Sequence, residues 1–135
     1  MPEPRSFDYA IIRVVPRVER GECLNVGVAL FCRVSRFLDL RIALDRQRLA
    51  ALAPGLDGPE LARQLEHLAR IVRGEADAGP IAALSPSERF HWLVAPRSTV
   101  IQTSAVHSGL TADPEATLDH LLRTLVLPPT SRGEA

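Results

Sequence analysis

A chain of 135 residues is long enough to bury a core without disulfide or metal staples, so one domain spanning 1–135 is expected, with an ordered core at about 6–127 and a polar tail at 128–135. Sixteen basic residues balance sixteen acidic ones, which excludes a net field that would hold a nucleic-acid backbone or an anionic membrane. The chain has no lysine, so every cation is an arginine and no single one can be read as chosen for its forked geometry.

Residues 7–15 are apolar and β-branched enough for a strand, with Ala10, Ile12 and Val14 on one side and Tyr9, Ile11 and Arg13 on the other. Pro16 ends it, and the polar stretch 17–22 around Gly21 makes a hairpin loop. In the next strand, 23–33, Leu24, Val26, Val28, Leu30 and Cys32 form one apolar face opposite Asn25, Gly27, Ala29 and Phe31. A tight connection at 34–36 leads to a third strand, 37–44, in which Leu38, Leu40, Ile42 and Leu44 alternate with Phe37, Asp39, Arg41 and Ala43. The shared parity predicts that even-numbered side chains of all three strands face the core, because a slip of one residue would turn a whole apolar set into water.

Helices follow. Asp45 caps a short one running to about Ala53, stopped by Pro54 and Gly55. Asp57 and Glu60 have capping-box spacing, Pro59 sits in the first turn, and Leu61, Leu65, Leu68 and Val72 recur at helical spacing until Gly74. Ser85, Pro86 and Glu88 repeat the start signature for a helix over 86–93, and the β-prone stretch 100–106 joins the sheet as a fourth strand. Asp113 and Pro114 open the last helix, whose Leu118, Leu121, Leu122, Leu125 and Val126 form a buried stripe before Pro128 and Pro129. The fold class expected is α+β: an antiparallel β-meander of three to four strands covered on one face by three to four helices.

Cys23 and Cys32 fall at odd and even positions of one strand and cannot pair there, Cys23 reading as a small buried thiol. With no signal peptide and no apolar run near eighteen residues, the sequence reads as cytoplasmic, with reduced thiols and no membrane association.

Two clusters carry candidate chemistry. Arg13, Glu22, Asn25 and Gly27 gather around the first hairpin, and pairing about the loop centre sets Arg13 opposite Gly27 and Val15 opposite Asn25, on the face away from the core. A guanidinium over a residue without a side chain, beside a carboxamide, suits a carboxylate or phosphate. The structural alternative is an Arg13–Glu22 pair, Asn25 bonded to loop backbone, and Gly27 making room for a ring such as Tyr9 or Phe31. The second cluster is His91, Trp92, Arg97, Ser98, Thr99, Gln102, Ser104, His107 and Ser108, in a stretch rich in loop signals. Such groups on loops support acid/base work or anion binding, while Trp92 also reads as a core or interface residue.

No Cys or acidic residue stands at ligand spacing from His91 or His107, so no metal site is expected; Gly21, Gly27, Gly55 and Gly58 match no phosphate or dinucleotide loop, and no cofactor is expected either. His67 and His120 read as solvated or boundary residues. The basic stretch of Arg33, Arg36, Arg41, Arg46 and Arg48 reads as a solvated face rather than a nucleic-acid surface.

The segment FDYAIIRVVPRVERGECLNVGVALFCR resembles the opening signature of the bacterial family called domain of unknown function 3037, with its tyrosine strand, arginine, G-E pair and N-V-G-V run. RFHWLVAPRSTVIQTSAVHSGL resembles that family's second block, and together the resemblance spans Phe7 to about Val126. It implies functional weight for Tyr9, Arg13, Gly21, Glu22, Asn25 and Gly27, and for Arg97, Ser98, His107 and Gly109. Cys23 stands where many relatives carry a larger apolar residue, which argues against a catalytic thiol. The resemblance also implies a protein partner, a HipA-like kinase encoded beside such relatives.

The residues contain no complete nucleophile, base and orienter set, so the expected function is a non-enzymatic interaction or regulatory module. The alternative is a small enzyme or binding protein for a phosphate-bearing or nucleic-acid ligand, using Arg13, Glu22, Asn25, Arg97 and His107. A sheet edge left open by the meander also makes a homodimer an expectation.

Overall fold

A computed structural model of the chain describes residues 3–97 and 99–129. Ser98 and the tail from 130 onward, both part of the sequence reading, lie outside the described residues, as do the first two positions. Strands β1 (Arg5–Val14), β2 (Leu24–Cys32) and β3 (Phe37–Ile42) form the expected antiparallel meander. Helices α1 (Arg46–Leu52), α2 (Gly58–Arg73) and α3 (Pro86–Val94) follow. Two short strands, β4 (Ile101–Thr103) and β5 (His107–Thr111), then return to β1 on the side away from β2, and α4 (Pro114–Leu121) runs into a π-helical turn, Leu122–Val126. The result is an open five-stranded antiparallel sheet with four helices, an α+β fold.

Local signals set the helix ends. Asp45, Asp57 and Asp113 each accept a backbone N–H from the first turn of their helix, and Ser85 and Glu88 close a reciprocal capping box. Gly74 ends α2 at a φ of 75°, and the Arg89 guanidinium lies against it, near enough that a Cβ there would meet its Cζ at 2.9 Å. Replacing Asp57 with alanine is expected to cost about 1 kcal/mol. Thermal unfolding of the variant measures it.

The helical cover is where the structure departs from the sequence reading. β1 keeps strict alternation, and so does β3, but β2 does not. Ile12 pairs with Gly27 while Arg13 pairs with Asn25, so Val26 is an extra residue, a β-bulge. Before it, Leu24 and Val26 face the same side as Ile12, Val14 and Leu40; after it, Ala29 and Phe31 take that side, and Val28, Leu30 and Cys32 turn to the opposite one. The bulge also corrects the expected pairing of Arg13 with Gly27 by placing Asn25 beside Arg13 instead.

The sheet therefore has two cores. Leu49, Leu61, Leu65, Val72, Phe90 and Leu93, from α1, α2 and α3, pack on the first face. Leu118 and Val126 pack on the second with Phe7, Val28, Leu30 and Cys32, so three helices cover one face and the fourth covers the other. Arg41 on β3 pins α4 through ion pairs to Asp119 and Glu115. Cys23, expected to be buried, is exposed because β2 begins one residue later, whereas Cys32 is buried.

Among the described residues, no helix is long and apolar enough to cross a membrane.

Candidate functional site

Strand β1 lies between the two halves of the chain. On one side it pairs with β2, and on the other Arg13 pairs with Gln102 of β4 and Tyr9 with His107 of β5. The two sequence blocks that carried the resemblance thus meet along this strand.

Alternation in β1 puts Tyr9, Ile11 and Arg13 on the second face, and their cross-strand partners Gln102, His107 and Asn25 share it. The α4 segment lies chiefly over β2, so the β1–β4–β5 half of this face keeps Tyr9, Arg13 and Gln102 half-buried and His107 exposed. Tyr9 and His107 touch ring to ring, with centroids 5.2 Å apart. Arg13 is four residues further along the strand, about 13 Å away at the usual rise. The strip thus has an aromatic end and a cationic end.

Asn25 has a structural task. Its Nδ2 donates to the Leu125 carbonyl at 3.0 Å, which ties the π-helical turn to β2 right beside Arg13. The expected bond to hairpin-loop backbone is replaced by this long-range one. Gln102 is similarly engaged, donating through Nε2 to the Thr99 carbonyl at 2.9 Å.

Arg13 stands apart from the other half-buried arginines. Arg41 and Arg70 pair with carboxylates, while Arg89 and Arg97 donate to backbone carbonyls. The Arg13 guanidinium has no hydrogen-bond or salt-bridge partner among the described residues, and its Nε is buried without an acceptor. The buried Nε leaves a desolvation cost unmet, while the two Nη groups are not buried and can donate to an incoming oxygen acceptor.

Glu22 does not supply that acceptor. It pairs with Arg20 at 2.6 Å in the exposed loop, and this guanidinium holds its carboxyl below the usual carboxylate range through the hydrogen bond and the charge. Arg97 serves α3: it donates to the Leu93 and Trp92 carbonyls at the helix end and lies over the Trp92 ring, 4.8 Å from its centroid. Burial lowers its pKa. It lines a hollow with His67 and Leu68 of α2, on the first-face side. Arg13, Asn25 and His107 therefore share one face, while Glu22 and Arg97 are engaged elsewhere.

Gly27 makes room for backbone rather than for a ring. A Cβ on it would lie 2.7 Å from the Arg41 carbonyl oxygen and 2.8 Å from Ile42 Cδ1. Gly109 is the position that accommodates a ring, since a Cβ there would meet Phe7 at 2.9 Å. Among the described residues, no Ser, Thr or Cys side chain hydrogen-bonds to a histidine ring, and no cluster of three His, Cys, Asp or Glu could hold a metal. The sequence named Gln102 without placing it beside Arg13; only the return of β4 to β1 does so.

A family model described as a protein of unknown function, DUF3037, matches residues 9–126. No curated protein and no solved structure matches the chain.

Proposed function

The chain belongs to the DUF3037 family, and on that premise we propose that it is a cytoplasmic, non-catalytic interaction module that receives a carboxylate of a protein partner at Arg13. The observation that carries this reading is the Arg13 guanidinium, half-buried and with no acceptor among the described residues. A carboxylate can take two parallel N–H bonds from such a fork, and charged hydrogen bonds of this kind contribute about 1.5–3 kcal/mol each. The Tyr9–His107 pair at the other end of the strip offers rigid ring surface for apolar contact. The partner to test first is the HipA-like kinase suggested by the family resemblance.

The test is co-expression with that kinase followed by affinity capture, comparing wild type with Arg13→Met. Wild type should retain the kinase, and Arg13→Met should bind it at least about tenfold more weakly while remaining folded. Equal capture of both forms, or no complex with wild type, overturns the reading. Free phosphate or a nucleic acid competing off the kinase would move the ligand class away from a protein carboxylate.

A further inference from the structure

The two edges of the sheet are treated differently. On β3, Leu40 turns its backbone outward, and both groups are already used: its N–H donates to Asp39 Oδ1 at 2.7 Å and its carbonyl accepts from Arg73 Nη2 at 2.8 Å. Arg73 Nε also holds Asp39 at 2.9 Å. A charged clamp over the middle of an edge strand blocks strand addition.

Among the described residues, the β5 edge has no such guard. Ile11 directs its N–H and carbonyl towards Ser104, and Val15 donates to Val100, so odd-numbered β1 residues face this side. Their partners His107, Gly109 and Thr111 accordingly turn inward. By alternation the backbone groups of Ser108 and Leu110 point away from the sheet. Residues 99–112 contain no Asp, Glu, Lys or Arg, and Leu110 and Val106 are 72% and 43% exposed.

We propose that β5 pairs antiparallel with β5 of a second copy of this chain, making one continuous sheet across a two-fold axis at Gly109. In that register Ser108 of each copy exchanges backbone hydrogen bonds with Leu110 of the other. The two Leu110 side chains become diagonal neighbours on one face, within contact reach, and Val106 meets Ala112. On the other face the two Gly109 residues lie opposite one another without side chains. The pairing is self-complementary: it brings no like charges together, and a chain of zero formal net charge does not repel its copy at long range. These features favour a second copy over a foreign strand, and they stand independently of the Arg13 reading, because the dimer needs no partner protein.

Sedimentation of the isolated wild-type chain across a dilution series is the test. The expected species has twice the 14.8 kDa chain mass, and Leu110→Arg and Ser108→Pro should each sediment as the monomer with unchanged far-UV dichroism. The proline removes an outward N–H and the exposed Ser108 Oγ–Asp8 side-chain bond at 2.6 Å, and it spares the backbone ladder with β1. Should either variant fail to fold, hydrogen exchange on wild type decides: the Ser108 and Leu110 amides should be protected at high concentration and lose protection on dilution. Wild type that stays monomeric throughout, variants that fold and stay dimeric, or amides whose exchange ignores concentration would each overturn the pairing.

Discussion

Leu65→Ala and Leu118→Ala are each expected to destabilise the fold by about 2–5 kcal/mol, and the double variant by close to the sum. Both side chains are fully buried, but in different clusters: Leu65 packs from α2 with Ile12, Val26 and Leu40, whereas Leu118 packs from α4 with Phe7, Val28 and Leu30. A sheet separates them, and helices pack about 10 Å from a sheet on either side, so the two cavities share no lining and cannot relax into each other. A fold of this size is stable by only about 5–15 kcal/mol, so the double variant should unfold at far lower urea than either single variant. Urea midpoints of the four forms close the cycle. An interaction term above about 1 kcal/mol would show that the cores are coupled and that the sheet does not divide them.

Gly27→Ala is expected to cost about 2–3 kcal/mol, an unusual loss for one added methyl group. The φ at Gly27 is not in the left-handed region, so the cost comes from space rather than from dihedral strain. The new Cβ would stand 2.7 Å from the Arg41 carbonyl oxygen, 2.8 Å from Ile42 Cδ1 and 3.4 Å from Ile12 Cβ. The Ile42 methyl can swing away, but the Arg41 carbonyl belongs to the paired strand and cannot move without opening the β2–β3 ladder. The alanine also narrows the unfolded ensemble, which returns about 0.4–1 kcal/mol. Gly55→Ala is the control, since nothing lies within 4 Å of its added Cβ. Its urea midpoint should barely change.

The helices and first three strands were legible because their signals are local: the Asp45, Asp57, Ser85 and Asp113 caps act within one turn, and the strands alternate over short runs. The two-sided cover was less so. Residues 28–32 read Val-Ala-Leu-Phe-Cys without a polar break, the pattern of a strand buried on both faces, yet the even positions alone also make an unbroken apolar row. Only the pairing with β1 reveals that Val26 is a bulge and that the row changes face there. Strand β5 left no local signal, because His107, Ser108 and Gly109 have weak strand preference and are held in place by β1.

Of the candidate site, the hairpin neighbourhood of Arg13 and Asn25 was visible and their tasks were not. Asn25 is occupied by a carbonyl a hundred residues away, and Glu22 by its near neighbour Arg20. Long-range packing decides such partners, and spacing along the chain does not encode it.

The proposed role of Arg13 requires that its guanidinium, without an acceptor among the described residues, is unbonded in the free protein, and the stability of Arg13→Met in the absence of any partner tests this most directly. Methionine keeps much of the aliphatic stem and removes the charge, so the urea midpoint should stay level or rise as an unmet desolvation cost disappears. A loss of about 1 kcal/mol or more would mean that the guanidinium is already bonded within the fold, and Arg13 would then have nothing left to offer a partner.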